Sequence, residues 1–167
     1  TTEIYTLSLH DALPICMRPF GMRAMMSLRL DRFFGSWLSE FSPDYTPGET
    51  GMDRFISFAK NSDFIGRAAA EEERSSGAAR ALVPFSIDAH DADVHGYEPV
   101  WIDGKVEGFC TSGGYSHFAE KSIAMALIPR TLAADGLEAE IEILGDMRPA
   151  RLITNPLFNP EAERLPG

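Results

Sequence analysis

Apolar and polar residues alternate along several segments in the second half of the chain. One segment has apolar side chains at every second position, namely Ala81, Val83, Phe85 and Ile87. Another has the same pattern with glutamates between the apolar positions, namely Leu137, Ala139, Ile141 and Ile143. Successive side chains of a β-strand point to opposite faces of its sheet, so both segments predict strands with one buried face.

Further strands are predicted by a turn motif and by apolar runs. Asp103 and Gly104 separate the apolar segments 99–102 and 105–110. This dipeptide is typical of a two-residue hairpin, because both turn residues need positive φ. Two later segments also predict strands: the continuous apolar run 122–128, which would be buried on both faces, and 148–153.

The number of these segments indicates an architecture. Five or six short strands separated by turns predict a small antiparallel β-barrel. Pro84 lies in the middle of the first strand and has no amide hydrogen to donate. That strand is therefore predicted to lie at an edge of the sheet or to contain a bulge.

The first half of the chain has a different pattern. The predicted elements are, in order, a helix over 20–33, a Pro- and Gly-rich connection over 36–51, a strand over 53–59 and a helix over 65–74. Asp63 is a suitable N-cap for the second helix, and the residues up to Gly77 end it. Since the period changes after Gly77, the predicted fold class is α+β with a boundary near that residue.

The two ends of the chain complete the predicted domain organisation. Residues 1–16 have neither the basic start nor the long apolar stretch of a secretory signal. They look like a translated sequencing adapter and are predicted to be a non-native leader. The domains are then predicted over 17–78 and 79–160, and 161–167 form a tail.

Composition excludes several classes of function. The 167 residues carry a net charge of −10, whereas binding to a phosphate backbone or an anionic membrane surface needs clustered Lys and Arg. No nucleic-acid or membrane partner is expected, and no apolar run has the length of a spanning helix. Cys16 and Cys110 form no zinc or disulfide pattern. The predicted compartment is the cytoplasm.

The densest set of metal-ligating residue types lies in the loop 88–95. Asp91, Asp93 and His95 have the spacing of the first ligands of a calcium loop. The twelfth position would be Ile102, where such a loop needs a bidentate glutamate. The set is incomplete, so this segment is interpreted as a solvated loop, and no metal site is predicted.

A series of motifs along the chain resembles a known family. The motifs are Leu28-Arg29-Leu30, Asp63-Phe64-Ile65-Gly66-Arg67 after the turn at Gly48, Trp101 to Val106, Thr111 to Tyr115 and Pro156-Leu157-Phe158. In order and spacing they are similar to the aminomethyltransferase family, which includes the glycine cleavage T-protein. They are most similar to the C-terminal part of its dimethylglycine and sarcosine dehydrogenase branch. One departure favours that branch: Met25 stands where T-proteins usually have an arginine.

The resemblance implies a fold and a function. It implies that residues 17–78 are a remnant of a folate-binding domain and that 79–160 are a C-terminal β-barrel. The parent enzyme would use FAD, bound in an upstream part, to oxidise an N-methylated glycine. Its aminomethyltransferase-like half would transfer the one-carbon unit to tetrahydrofolate. The family's catalytic aspartate and its pterin-binding glutamate would also lie upstream, so the chain alone is expected to have no catalytic residue and no activity.

The resemblance also suggests residues for a partial folate pocket. Aromatic residues near the positions of Phe34 and Phe55 form walls of the pocket in the family. Glu49 matches a family glutamate that could bind the ligand, and Tyr115 could line the cleft. Arg29 is expected to pair with Glu49 or Asp53.

Two alternatives remain open at this stage. The parent could be a glycine cleavage T-protein without flavin. The chain could also be a non-catalytic folate-binding module, with a barrel that serves only in packing and domain docking.

Overall fold

The computed structural model describes residues 20–158. The predicted leader over 1–16 and the tail over 161–167 lie outside the described residues. Among the described residues, three α-helices precede the barrel: α1 (Met22–Leu30), α2 (Pro47–Thr50) and α3 (Arg67–Ser76). The helix predicted over 20–33 is confirmed and is shorter at both ends. No helix of the described segment is long and apolar enough to cross a membrane.

Six antiparallel strands close into a barrel, as the alternating pattern predicts. They are β1 (Arg80–Ile87), β2 (Pro99–Ile102), β3 (Lys105–Ser116), β4 (Lys121–Pro129), β5 (Glu138–Ile143) and β6 (Asp146–Leu152). The order around the barrel is β1-β4-β3-β2-β5-β6, and β6 pairs with β1 to complete the ring. The small antiparallel barrel is therefore confirmed.

The barrel interior holds the larger of the two apolar cores. Alternate residues of the strands point into it, including the following fully or nearly fully buried side chains: Phe85, Val100, Cys110, Ile128, Ile141 and Ile143. The glutamates of β5 alternate with its buried residues, and Glu138 and Glu140 are exposed. At about 25 cal/mol per Å² of apolar surface removed from water, this interior is the main source of stability for the fold.

The hairpin predicted at Asp103 and Gly104 is confirmed. Both residues have positive φ, at 51° and 74°, and they join β2 to β3. Strand β3 also contains a bulge between Cys110 and Ser112, where Thr111 is the extra residue relative to β4. The glycines that follow this bulge permit a close approach, because a Cβ on Gly113 would lie 2.6 Å from the Cβ of Val94.

Helix α1 packs on the outside of the barrel. Leu30 is fully buried and forms a second, smaller core with Ile123 and Met125 of β4. The hydroxyl of Ser27 donates a hydrogen bond to the carbonyl oxygen of Tyr115 on β3, at 2.6 Å. The helix ends at Leu30, and Phe33 in the following turn has a positive φ of 56°.

Two local predictions for the region before the barrel are wrong. The segment 53–59 forms no strand; it contains the 3-10 helix Asp53–Phe55. The N-cap of α3 is Gly66, with φ of 87°, and the carboxylate of Asp63 instead accepts from the amide of Phe64.

Pro84 does not mark an edge strand or a bulge. Strand β1 is paired on both sides, and its register with β4 is unbroken. Pro84 is accommodated because it lies just beyond the residues that pair with β6. There its carbonyl oxygen accepts from the amide of Ile153.

Candidate functional site

Phe34 and Phe55 carry exposed aromatic rings in the region that precedes the barrel. Phe34 follows α1 and is 47% exposed, whereas Phe55 ends a 3-10 helix and is 68% exposed. The guanidinium of Arg32 lies 5.6 Å from the centroid of the Phe34 ring, and that of Arg54 lies 4.9 Å from the centroid of the Phe55 ring. Exposed aromatic faces can stack on a flat heterocycle. Both rings therefore meet the physical requirement for a pocket wall, and their contact with folate stays a prediction.

Glu49 is buried in a short helix and bonded within the chain. The sequence Thr46-Pro47-Gly48-Glu49 forms a capping box in which each of the two end side chains accepts from the other residue's amide. Arg80 of β1 donates to both carboxylate oxygens of Glu49, at 2.7 and 3.2 Å. The S/T-x-x-E pattern is a local sequence signal for the start of a helix, and it marks α2 within the segment 36–51, which was predicted to be an irregular connection.

The surroundings of Glu49 lower the pKa of its carboxyl group. Burial alone would raise that pKa, but hydrogen bonds from Arg80 and Thr46 outweigh burial and hold it below the ordinary value of 4.5. The hydrogen bonds that Arg80 donates to Glu49 in turn raise the pKa of Arg80. Glu49 therefore stabilises the junction between α2 and β1 in its ionised form, and its predicted contact with folate remains a prediction.

We expect Glu49 to make the stability of the fold depend on pH. A carboxyl group with a lowered folded-state pKa stabilises the fold above its unfolded-state pKa and loses that effect as the pH falls toward its folded-state value. At pH 7, Glu49→Gln is expected to lower the free energy of unfolding by about 1–2 kcal/mol, because Arg80 is partly exposed. The difference from wild type should shrink below pH 4.5. Urea unfolding of wild type and Glu49→Gln at pH 7 and pH 3.5 measures the difference in their free energies of unfolding at each pH.

A matched control is Glu71→Gln, which removes an exposed pair with Arg67 on α3. Such surface pairs contribute little, so this variant should stay close to wild type at both pH values. An effect of Glu49→Gln that is equally large at pH 7 and pH 3.5 would contradict the role of the Glu49 charge.

Tyr115 lies near the end of β3 and is partly buried. Its ring packs edge-on against His117, with centroids 5.2 Å apart. Its backbone oxygen accepts from Ser27, so this residue joins α1 to the barrel through its main chain. Whether its ring also lines a ligand cleft stays a prediction.

A buried carboxylate, Glu40, forms the most extensive polar cluster between α1 and the barrel, and sequence reasoning missed it. One of its oxygens accepts from the amide of Ser36 at 2.5 Å and from Arg29 at 3.3 Å. The other accepts from the hydroxyls of Thr111, at 2.7 Å, and Ser112. Arg29 also donates to the hydroxyl of Ser112 at 2.7 Å. We call these five residues the Glu40 cluster.

The partner expected for Arg29 was therefore wrong. Arg29 pairs with Glu40, neither with Glu49 nor with Asp53. Burial lowers the pKa of Arg29, and the negative charge of Glu40 opposes that effect. A fully buried carboxylate in a loop with Ser and Pro residues has no distinctive local pattern, so only the three-dimensional contacts reveal it.

The acidic loop 88–95 is held by contacts within the chain. Glu98 accepts from the amides of His95 and Gly96, each at 2.8 Å. Asp91 pairs with Arg148 at 3.0 Å. Within residues 20–158, no group of three or more His, Cys, Asp or Glu side chains is arranged to hold a metal ion.

A cleft with a volume of about 790 Å³ lies against β1, β2, β5 and β6. Its lining includes Trp101, Arg151 and several carboxylates, among them Asp88 and Glu140. None of the four predicted site residues lines it. The thiol of Cys110 is inside the barrel, where burial and the charge of Glu98 raise its pKa, so it is not a candidate nucleophile.

Comparisons with known proteins agree with the fold. The model of the glycine cleavage T-protein C-terminal barrel domain matches residues 80–159, and that of the GCVT N-terminal domain matches residues 3–60. The chain is 39% identical to mitochondrial dimethylglycine dehydrogenase of Mus musculus over 145 residues, or 87% of this chain and 17% of that protein. It is 33% identical to an aminomethyltransferase of Nostoc sp. over 151 residues, which are 90% of this chain and 39% of that protein.

A solved structure has the same architecture. The crystal structure of aminomethyltransferase T of the Bartonella henselae glycine cleavage system superposes with a TM-score of 0.74 at 23% identity. The match covers 83% of this chain and 39% of that one, and it establishes a likeness of fold.

The fold is thus that of a T-protein barrel preceded by a mainly helical segment, part of which matches the GCVT N-terminal domain. Together, the two domain models and the curated relatives extend over most of the sequence. The chain belongs to the glycine cleavage T-protein (aminomethyltransferase) family. It spans about 17% of the dimethylglycine dehydrogenases and about 39% of the aminomethyltransferases that it matches.

Proposed function

We propose that this chain is the C-terminal part of an N-methylglycine dehydrogenase, in which it helps to form the folate site of the aminomethyltransferase-like half. The observation that carries the proposal is the 39% identity to dimethylglycine dehydrogenase across both α1 and the barrel. In such a parent, FAD would supply the oxidising chemistry on dimethylglycine or sarcosine. The one-carbon unit would then pass to tetrahydrofolate.

The described residues fit part of a folate site. A pterin or aminobenzoate ring needs apolar, flat surfaces with a few polar partners, and the exposed rings of Phe34 and Phe55 offer such surfaces. Glu49 is a weaker candidate, because Arg80 and Thr46 already bond its oxygens. The division into a folate-domain remnant over 17–78 and a barrel over 79–160 is part of this proposal.

The described residues do not fit FAD. A dinucleotide-binding loop places its glycines at a turn between a strand and a helix. Gly113 and Gly114 instead lie within strand β3, which leads to another strand. In this proposal FAD belongs to an upstream part of the parent, as the resemblance implies, and no residue of this chain is assigned to it.

The folate proposal is tested by titrating the chain with 5-formyltetrahydrofolate and following backbone amide signals by NMR. Shifts are expected at residues 33–56 and not along β5 and β6. Phe34→Ala or Phe55→Ala should weaken binding by about 2- to 10-fold, which corresponds to one stacking contact. Phe118→Ala, at another exposed ring, is the control. Shifts confined to β5 and β6, or none at millimolar ligand, would refute a folate site in this chain.

The chain alone is expected to turn over neither sarcosine nor dimethylglycine, even with added FAD and an electron acceptor. Proton transfer to a reacting group needs a positioned acid or base, and the carboxylate among the predicted site residues, that of Glu49, is paired with Arg80. The assay is the reduction of a dye acceptor. Turnover above the level of a heat-denatured sample would contradict this expectation.

A T-protein without flavin is the second candidate, favoured by the 33% identity to an aminomethyltransferase and by the shared fold. The two parents differ upstream of the chain. A long sequencing read of the source DNA distinguishes them: a strand–GxGxxG–helix segment before the transferase core indicates the dehydrogenase, whereas the core alone indicates the T-protein.

A further inference from the structure

The β3 bulge places two neighbouring hydroxyl groups on one carboxylate. On a regular strand, successive side chains point to opposite faces of the sheet. Thr111 is the extra residue of the bulge, and its hydroxyl and that of Ser112 both bond the same oxygen of Glu40. Bulges re-aim side chains in this way and are frequent beside functional sites. Strand β3 is thus shaped to bind Glu40.

The other oxygen of Glu40 holds a tight turn. It accepts from the amide of Ser36, whose carbonyl oxygen in turn accepts from the amides of Ser39, Glu40 and Phe41. Two apolar side chains at the tip of this turn, Trp37 and Leu38, are 76% and 88% exposed. The turn therefore exposes two large apolar side chains on a backbone that the hydrogen bonds of Glu40 and Ser36 hold in place.

Arg29 extends the cluster to Phe34. Its guanidinium donates to the carbonyl oxygen of Phe34 at 2.8 Å while it also contacts Glu40 and Ser112. Glu40 is fully buried and the Arg29 side chain is 10% exposed. A buried charge pair commonly adds little stability relative to apolar side chains of similar volume, and in some proteins such a pair specifies one conformation.

We propose that Glu40 and Arg29 are positioning residues through which the barrel holds the segment 33–41, including Phe34, in place. Glu40 and Arg29 then determine the shape of this segment without touching a ligand themselves. The consequence for folate rests on the proposed function, in which Phe34 is part of the pocket wall. The coupling between the barrel and the segment 33–41 rests only on the contacts of the Glu40 cluster.

Hydrogen exchange of Glu40→Gln tests the coupling. The amides of Ser36, Glu40 and Phe41 are expected to exchange about tenfold faster than in wild type, and by a larger factor than the amides of β4. Glu138→Gln, at an exposed position of β5, is the matched control and should change neither set. An equal acceleration in the turn and in β4 would mean that Glu40 only stabilises the whole fold, and it would overturn the proposal.

The double variant Arg29→Met/Glu40→Met separates positioning from stability. Apolar replacement of a buried ion pair commonly preserves or increases stability, so β4 should keep wild-type protection. The turn amides are still expected to exchange faster, because Ser36 and the backbone of Phe34 have lost their charged partners. Wild-type protection of the turn in this variant would overturn the proposal.

The folate titration distinguishes this inference from the proposed function. If the wild-type chain binds 5-formyltetrahydrofolate, the double variant should bind it about tenfold more weakly although neither residue touches the ligand. If the double variant binds the folate as tightly as wild type, Glu40 and Arg29 do not position residues of the pocket. If wild type shows no binding while the exchange results are as expected, the folate proposal fails and the coupling stands.

Discussion

Replacing Phe85 with alanine is expected to lower the free energy of unfolding by about 3–5 kcal/mol, a large share of the stability of a domain this size. Phe85 lies on the inward face of β1 and has no exposed surface. Its ring is surrounded by the apolar residues of the barrel interior. The loss combines the transfer free energy of the ring with the cavity that the closed barrel cannot collapse to fill. Urea unfolding followed by circular dichroism measures it.

The control for this substitution is Phe118→Ala in the turn between β3 and β4. Phe118 is 54% exposed and makes an edge contact with Phe158, at 5.3 Å between centroids. Its loss is expected to cost less than about 1 kcal/mol. If both substitutions cost the same, the barrel interior is not packed around Phe85.

Replacing Gly108 with alanine is expected to cost about 1–3 kcal/mol, toward the upper end of that range. A Cβ at this position would lie 2.3 Å from the carbonyl oxygen of Leu127 and 2.7 Å from a side-chain methyl of Ile128. The first obstacle is backbone of the neighbouring strand β4, so it cannot move aside as a flexible side chain would. The pairing of β3 with β4 must therefore shift.

Gly21→Ala is the matched control. Gly21 precedes α1 with a φ of −79°, which any residue adopts, and nothing lies within 4 Å of an added Cβ. Its substitution should change the free energy of unfolding by less than about 1 kcal/mol. Wild-type stability of Gly108→Ala would show that β3 and β4 are further apart than described.

The barrel was predictable from the sequence because its signals are local. Alternation along β1 and β5 reports one buried face, and Asp103-Gly104 reports a turn that needs positive φ at both residues. These signals depend on neighbouring residues and not on distant partners. The segment 53–59 was misread because a few apolar residues in a short stretch fit a loose alternation as well as a 3-10 helix.

The polar contacts between α1 and the barrel were not predictable in the same way. Five carboxylates lie within a short stretch after Arg29, namely Asp31, Glu40, Asp44, Glu49 and Asp53. Their residue types do not show which of them forms an ion pair with Arg29. Glu40 is selected by a bulge 71 residues further along the chain, and a bulge has no clear local pattern. The capping box of α2 differs from these contacts. Its Thr-x-x-Glu pattern is local, so the sequence alone could have revealed it.

The order of strands around the barrel has a consequence for synthesis on the ribosome. Strand β1 emerges first, but one of its two neighbours is β6, where Phe85 pairs with Leu152. Until that last strand has left the exit tunnel, β1 and β5 each present an unpaired edge, and such edges are open to pairing with other chains. The edge of β1 is thus open to pairing with other chains for most of the translation of the barrel. The pairing of β6 with β1 and β5 closes the ring and covers both edges.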